Sequence, residues 1–250
     1  MQTIACALAA AAVSACSRPA ENRLQGYVEG EFVYVASPLG GALESLFVQR
    51  GAQVKAGDPL FVLDSAAERA ARDQAQAALV LSEKDLARME KLAHANLIAM
   101  QELDRARSTR DQDRERLKKA EWDLSQKRQN APQAGLVFDT LFRPGEWVPS
   151  GRPVVALLPP GNIKVRAFVP ETEIGTVRVG YGARVHVDGV DQPLAGRVGF
   201  ISPKAEYTPP VIYSRETREK LVFMIEILFD PAAGAKLHPG QPVDVELLRS

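Results

Sequence analysis

The chain has 250 residues, 46% hydrophobic and 25% charged, the balance of a folded protein and not of a disordered one. Lys plus Arg (31) equals Asp plus Glu (31), so no net charge draws the molecule to nucleic acid. The two cysteines, Cys6 and Cys16, both lie near the N-terminus, which excludes a disulfide framework and a thiolate metal site in everything that follows them.

In chain order, the first element is the apolar run Ile4 to Val13 (IACALAAAAV). It is too short to span a bilayer as a helix and suits the core of a signal peptide. Val13-Ser14-Ala15-Cys16 resembles the lipobox of bacterial lipoproteins, which implies acylation of Cys16 and a mature chain beginning there. Residues 1–16 are therefore expected to be a signal peptide. The polar, Pro-containing stretch that follows is expected to be a tether over residues 17–25. No later apolar run is long enough for a membrane-spanning helix.

Between Gly26 and Asp64 the chain alternates short apolar runs with turn formers, as strands and tight turns require. The phrase GAQVKAGDPLFVLD (Gly51 to Asp64) returns 94 positions later as GEWVPSGRPVVAL (Gly145 to Leu157). Pro38, Gly41, Gly51, Val54, Gly57 and Pro59 match Pro132, Gly135, Gly145, Val148, Gly151 and Pro153 without a gap. A half of this size cannot bury a core alone, so the repeat reads as two halves of one β-domain packed face to face.

What separates the halves is of another kind. From Ser65 to Gln129 there are 65 residues without Gly or Pro, carrying 14 Lys/Arg and 12 Asp/Glu. The absence of breakers predicts continuous helix. Ser65-Ala66-Ala67-Glu68 has the spacing of a capping box, and Pro132 the position of a stop. A heptad seam of slender character runs through Leu79, Leu86 and Ala93 with Ala75, Ser82 and Met89. It continues through Leu103, Arg110, Leu117 and Leu124 with Ala106, Asp113, Ala120 and Lys127. It lapses only at His94 to Met100 (HANLIAM), where Asn96 suits a left-handed cap. The expectation is two antiparallel helices of about 30 residues, a hairpin about 45 Å long. A single unbroken helix would leave its apolar seam uncovered.

The third block, residues 161–250, holds the alternating strand Ile163 to Pro170 and further strands at Ala183 to Val187, Gly196 to Ile201, Leu221 to Leu228 and Val243 to Leu247. A short helix is expected near Glu171 to Gly175, and the whole suits a small barrel.

A duplicated β half-motif resembles the biotinyl/lipoyl domain, and one split by a helical hairpin resembles the membrane fusion proteins, the periplasmic adaptors of the hemolysin-D-like family. Gly26 to Pro38 and Leu237 to Val243 are typical of that family. The resemblance implies a mainly β protein with an inserted α-helical hairpin. Its parts would be a split lipoyl-like sandwich (residues 26–64 and 130–160), a coiled-coil hairpin (65–129) and a β-barrel (161–250), with the opening strand available to either β-domain. It further implies a non-enzymatic subunit without cofactor or catalytic residues, held at the inner membrane of the periplasm by a lipid anchor. Such a subunit forms a ring, commonly a hexamer, and links an inner-membrane exporter to an outer-membrane channel of the TolC type. Ala205 to Arg215 resembles the subgroup that serves ABC-type exporters; an adaptor for a proton-driven pump and a biotin- or lipoate-carrier subunit are the alternatives. Family members that dock such channels carry an Arg, a Leu four residues on and a Ser seven further. Here Arg88 and Leu92 match, the third position is Ala99, and Leu97 and Ile98 add an apolar turn suited to helix-in-groove docking. Lys55 sits inside a half and not at the junction of the halves, where a carrier lysine would stand. His94, His186 and His238 are scattered and read as surface or packing residues.

Overall fold

The computed structural model describes residues 23–207 and 221–248. The signal peptide, the lipobox Cys16 and most of the expected tether lie outside the described residues, as do positions 208–215 of the stretch that resembles the ABC-exporter subgroup. The chain opens with β1 (Arg23–Gly30), β2 (Val33–Ala36), β3 (Gly41–Leu46), β4 (Gln53–Val54) and β5 (Pro59–Leu63). Two helices follow, α1 (Ala66–His94) and α2 (Met100–Ser125). Next come β6 (Arg128–Asn130), β7 (Gly135–Thr140), β8 (Trp147–Val148), β9 (Pro153–Leu158) and β10 (Ile163–Pro170). The chain closes with α3 (Glu171–Ile174), β11 (Gly182–Val187), β12 (Leu194–Tyr207), β13 (Leu221–Leu228), α4 (Pro231–Gly234) and β14 (Pro242–Leu248). It is mainly β with one helical hairpin, as expected, and divides into two compact units, Gly30–Ile163 and a second made of the flanking segments.

In the first unit two four-stranded sheets, β2-β9-β7-β4 and β6-β5-β3-β8, enclose a core of Leu43, Leu60, Phe61, Leu63, Val137, Val154 and Leu157. The repeat seen in the sequence is a repeat of conformation. Gly51, Gly57, Gly145 and Gly151 all have φ between +72° and +93°, a region closed to most side chains. The halves exchange bonds in matched pairs. Gly51 N–H donates to Val137 O and Gly145 N–H to Leu43 O, each at 2.8 Å. Val137 N–H donates to Ala52 O and Leu43 N–H to Glu146 O, again both at 2.8 Å. Gly57 N–H reaches Ala131 O, and Gly151 N–H reaches Ser37 O. Each half therefore satisfies the turn amides of the other, and neither is complete alone.

The hairpin buries only Leu79, Ser82 and Leu86 on α1 and Leu103, Asp113 and Leu117 on α2, all six on the predicted seam. Asn96 has φ +57° and turns the chain between the helices, as its cap position predicted. Three expectations are corrected. Ser65 is the N-cap residue of α1, but its side chain makes no cap bond; Asp64 Oδ1 accepts from Ala66 N–H instead. Glu68 is drawn away from the capping box by Lys127, 2.9 Å distant. Helix α2 ends at Ser125, well before Pro132, because Arg128–Asn130 pair with β5 and extend the sandwich. Lys127 consequently lies beyond the helix and off the seam.

The second unit is a closed barrel in the order β1-β10-β13-β12-β11-β14. The tether expected over residues 17–25 gives way to strand at Arg23: Leu24 and Val28 are buried, and β1 pairs with β14 from Arg23↔Glu246 to Tyr27↔Pro242. At Gly26 the β1 backbone comes so close to β10 that a Cβ would stand 2.3 Å from Arg166 O. The barrel has its own internal repeat, offset by 60 positions, which the sequence reading did not find. Helices α3 and α4 each lead to a buried apolar residue (Val177, Leu237) and a left-handed glycine (Gly180, φ +94°; Gly240, φ +87°). Gly180 N–H donates to Val198 O while Val198 N–H donates to Tyr181 O; Gly240, Val28 and Gln241 repeat the exchange.

Candidate functional site: the hairpin tip and the polar junction at its base

Five residues predicted for the tip are gathered at one end of the hairpin. Arg88 projects from α1 into solvent and pairs with Asp85 at 2.6 Å, one helical turn away. Such an exposed pair holds its side chains weakly and leaves the guanidinium available. Leu92 is half-buried in the last turn of α1, where its carbonyl accepts the Leu97 N–H at 2.9 Å and closes the turn. Leu97 is 69% exposed, and Ile98 is half-buried beside it. Ala99 is the N-cap residue of α2 and supplies no side-chain cap. The sequence reading missed Met100, 62% exposed at the start of α2. With Leu97 it makes the tip a small apolar knob with a flexible thioether, the kind of side chain that adapts to a partner's groove. Its signal was available, since it ends the uncharged run HANLIAM.

The base of the hairpin carries a second cluster that sequence reasoning did not assemble. Lys127 is 5% exposed. A buried ammonium needs partners to replace its lost water, and it has two: Gly40 O at 2.7 Å and a Glu68 carboxylate oxygen at 2.9 Å. Its own carbonyl accepts the Leu63 N–H at 2.8 Å. One residue away, the carbonyl of Gln126 accepts the Ser37 hydroxyl at 2.8 Å. Ser37 is fully buried, and its oxygen also accepts Leu39 N–H.

In the barrel, Lys164 and Arg166 on β10 face Glu29 on β1 and Glu226 on β13. Lys164 lies 2.8 Å from Glu226, and Arg166 lies 2.5 Å from Glu29. Burial opposes the charge on Arg166, but its bond with Tyr27 and the two carboxylates outweigh that, so its pKa stands above the ordinary value. These charges pair with each other and hold three strands together. His94 and His238 are exposed, and His186 lies 3.6 Å from Glu246. Among the described residues no group of three metal-ligating side chains occurs, and no helix is long and apolar enough to cross a membrane. Lys55 is exposed in a turn, its N–H bonded to Asp58.

Comparison with known proteins agrees with this geometry. No family model matches the chain. A UPF0194 membrane protein of Acidithiobacillus ferridurans is 34% identical over 180 residues, 72% of this chain but 49% of that protein, so the chain spans about half the length of this relative. A UPF0194 membrane protein of Citrobacter koseri is 28% identical over 88% of this chain and 86% of its own length. Among solved structures, a chimera of MacA carrying the Pseudomonas aeruginosa MexA α-hairpin aligns over 91% of this chain and 81% of its own, with 20% identity and a TM-score of 0.74. A membrane fusion protein of Streptococcus pneumoniae aligns over 91% and 99%, with 21% identity and a TM-score of 0.68. The resemblance read from the sequence holds: the chain has the architecture of the membrane fusion, or periplasmic adaptor, proteins. Its curated relatives are UPF0194 membrane proteins.

Proposed function

We propose that this chain is the periplasmic adaptor subunit of an efflux or secretion system, linking an inner-membrane exporter of the ABC type to an outer-membrane channel through a ring of protomers. The observation that carries this reading is the division of labour within one unit. A rigid β-sandwich is interrupted by a long charged hairpin whose far end presents Leu97 and Met100 to solvent. Apolar side chains held away from any core at the end of a stalk are surplus to folding and suited to a groove on another protein. Arg88, Leu92, Ile98 and Ala99 complete the docking tip. Cys16 carries the lipid that holds the subunit at the inner membrane, on the strength of its lipobox.

The test is photo-cross-linking in cells with a reactive residue placed at Leu97 or at Trp147 of the full chain. Adducts to an outer-membrane protein from position 97 and none from 147 are expected. Equal labelling of outer-membrane protein from both positions, or none from 97, overturns tip docking. Co-purification of an ATPase subunit after cross-linking at the barrel supports the ABC pairing, and recovery of a proton-driven pump replaces it.

A further inference from the structure

The quasi-twofold symmetry of the sandwich supplies an internal control for the junction at the hairpin's base. The corner that follows β2 and the corner that follows β6 are equivalents, 94 positions apart, and each accepts the same glycine amide, Gly151 N–H at Ser37 O and Gly57 N–H at Ala131 O. Their backbones do the same work in the sandwich. Their side chains differ: the first corner carries Ser37, with a buried hydroxyl bonded to Gln126 O, and its equivalent carries Ala131. Gly40 O, which receives the Lys127 ammonium, has Ala134 as its equivalent, on the side where no hairpin attaches. The polar groups that break the symmetry sit where the hairpin joins, so the sandwich itself does not require them.

We propose that the buried Lys127 ammonium, shared between the Gly40 carbonyl and the Glu68 carboxylate and backed by the Ser37–Gln126 bond, locks the direction in which the hairpin leaves the sandwich. Two peptide connections alone, Asp64-Ser65 and Gln126-Lys127, would form a hinge. Lys127 ties three pieces at that hinge: the first turn of α1 through Glu68, the corner after β2 through Gly40, and the end of β5 through its own carbonyl. An ammonium with three donors can bind several acceptors at once, whereas an apolar residue of the same length would fill the space and fix no angle. Lys127 is a positioning residue, and its action does not depend on what the tip binds.

The test measures the angle directly. Spin labels are placed at Arg50, exposed on a turn of the sandwich, and at Glu83, exposed on α1, in the full chain with Cys6 and Cys16 replaced by Ser. The parent is expected to give one narrow distance distribution. Lys127→Met is expected to give a roughly doubled width, and Glu68→Gln, which keeps an acceptor oxygen, an intermediate one. Hydrogen exchange at the core strand Val154 to Leu158 is expected to stay at the parent level in both. An unchanged width in Lys127→Met overturns the lock. So does a width that grows only together with exchange at Val154 to Leu158, which would make Lys127 a packing residue. If Lys127→Met does not fold, the pair Ser37→Ala and Glu68→Gln decides on the same two readouts.

Discussion

In the sandwich, Leu60, Phe61 and Leu63 are wholly buried, and the turns are closed by bonds from the other half. In the hairpin the best-covered leucines keep 4% to 9% of their surface, and two of the six buried seam positions are polar, Ser82 and Asp113. The sandwich is stabilised by area removed from water and by turn amides that have no other partner. The hairpin has one thin seam, and many of its exposed side chains are charged, several of them paired along the same helix, such as Lys118–Glu115 and Lys119–Asp123. Pairs of that kind contribute little. The difference shows that the sandwich holds most of this unit's packing, while the hairpin extends from it with little covered surface of its own.

This contrast can be broken most strongly in the sandwich. Phe61→Ala removes a ring with no exposure and is expected to cost about 4 kcal/mol, seen as loss of the cooperative denaturation of the whole first unit. Lys127→Met leaves the Glu68 carboxylate without its cation in a mostly covered site and is expected to make local opening at the hairpin base easier by about 3 kcal/mol, with the sandwich core unchanged. Because the pair belongs to the base, hydrogen exchange should rise at residues 64–68 and 124–127 and in the helices beyond, and stay at the parent level at Val154 to Leu158. Gly51→Ala and Gly145→Ala each put a Cβ at a left-handed position with open space around it, so strain alone costs about 1 kcal/mol at each. Equal losses at the two sites would sharpen the symmetry, and a clear inequality would show that one half dominates.

In the hairpin the expected sign reverses. Asp113→Leu extends the apolar seam between Leu103 and Leu117 and leaves its partner Arg116 in solvent, so a gain of about 1 kcal/mol is expected in thermal unfolding of the helices. Leu97→Asp comes last. The side chain is exposed, so stability should change by less than about 0.5 kcal/mol while cross-linking from a reactive residue placed at the neighbouring Met100 is lost. The tip would then separate docking from folding.

The parts that could be read from the sequence were those written in residues with restricted conformations. Gly51, Gly57, Gly145 and Gly151 announced their turns, and 65 residues without Gly or Pro announced the helices. The seam was legible because Leu79, Leu86, Leu103 and Leu117 recur at heptad spacing. Periodicity cannot report where a helix stops when no breaker marks the place, so it carried Lys127 onto a seam it never joins. The junction was hidden for a related reason: Ser37, Gly40, Glu68 and Lys127 come together only through strand pairing. The barrel's 60-residue repeat went unseen because its equivalent positions share geometry more than identity; Pro170-Glu171 stands where the other copy has Asp230-Pro231.

One feature of the hairpin also bears on descent. Its seam repeats every seven residues, its tip is one short turn around Asn96, and its attachment is confined to a few residues around Glu68 and Lys127. Adding or removing a matched heptad in both arms therefore moves the tip by about 10 Å and alters neither end. The reach of this protein is a quantity that mutation can tune in discrete steps, like the spacing of rungs on a ladder, while the sandwich and the tip stay as they are.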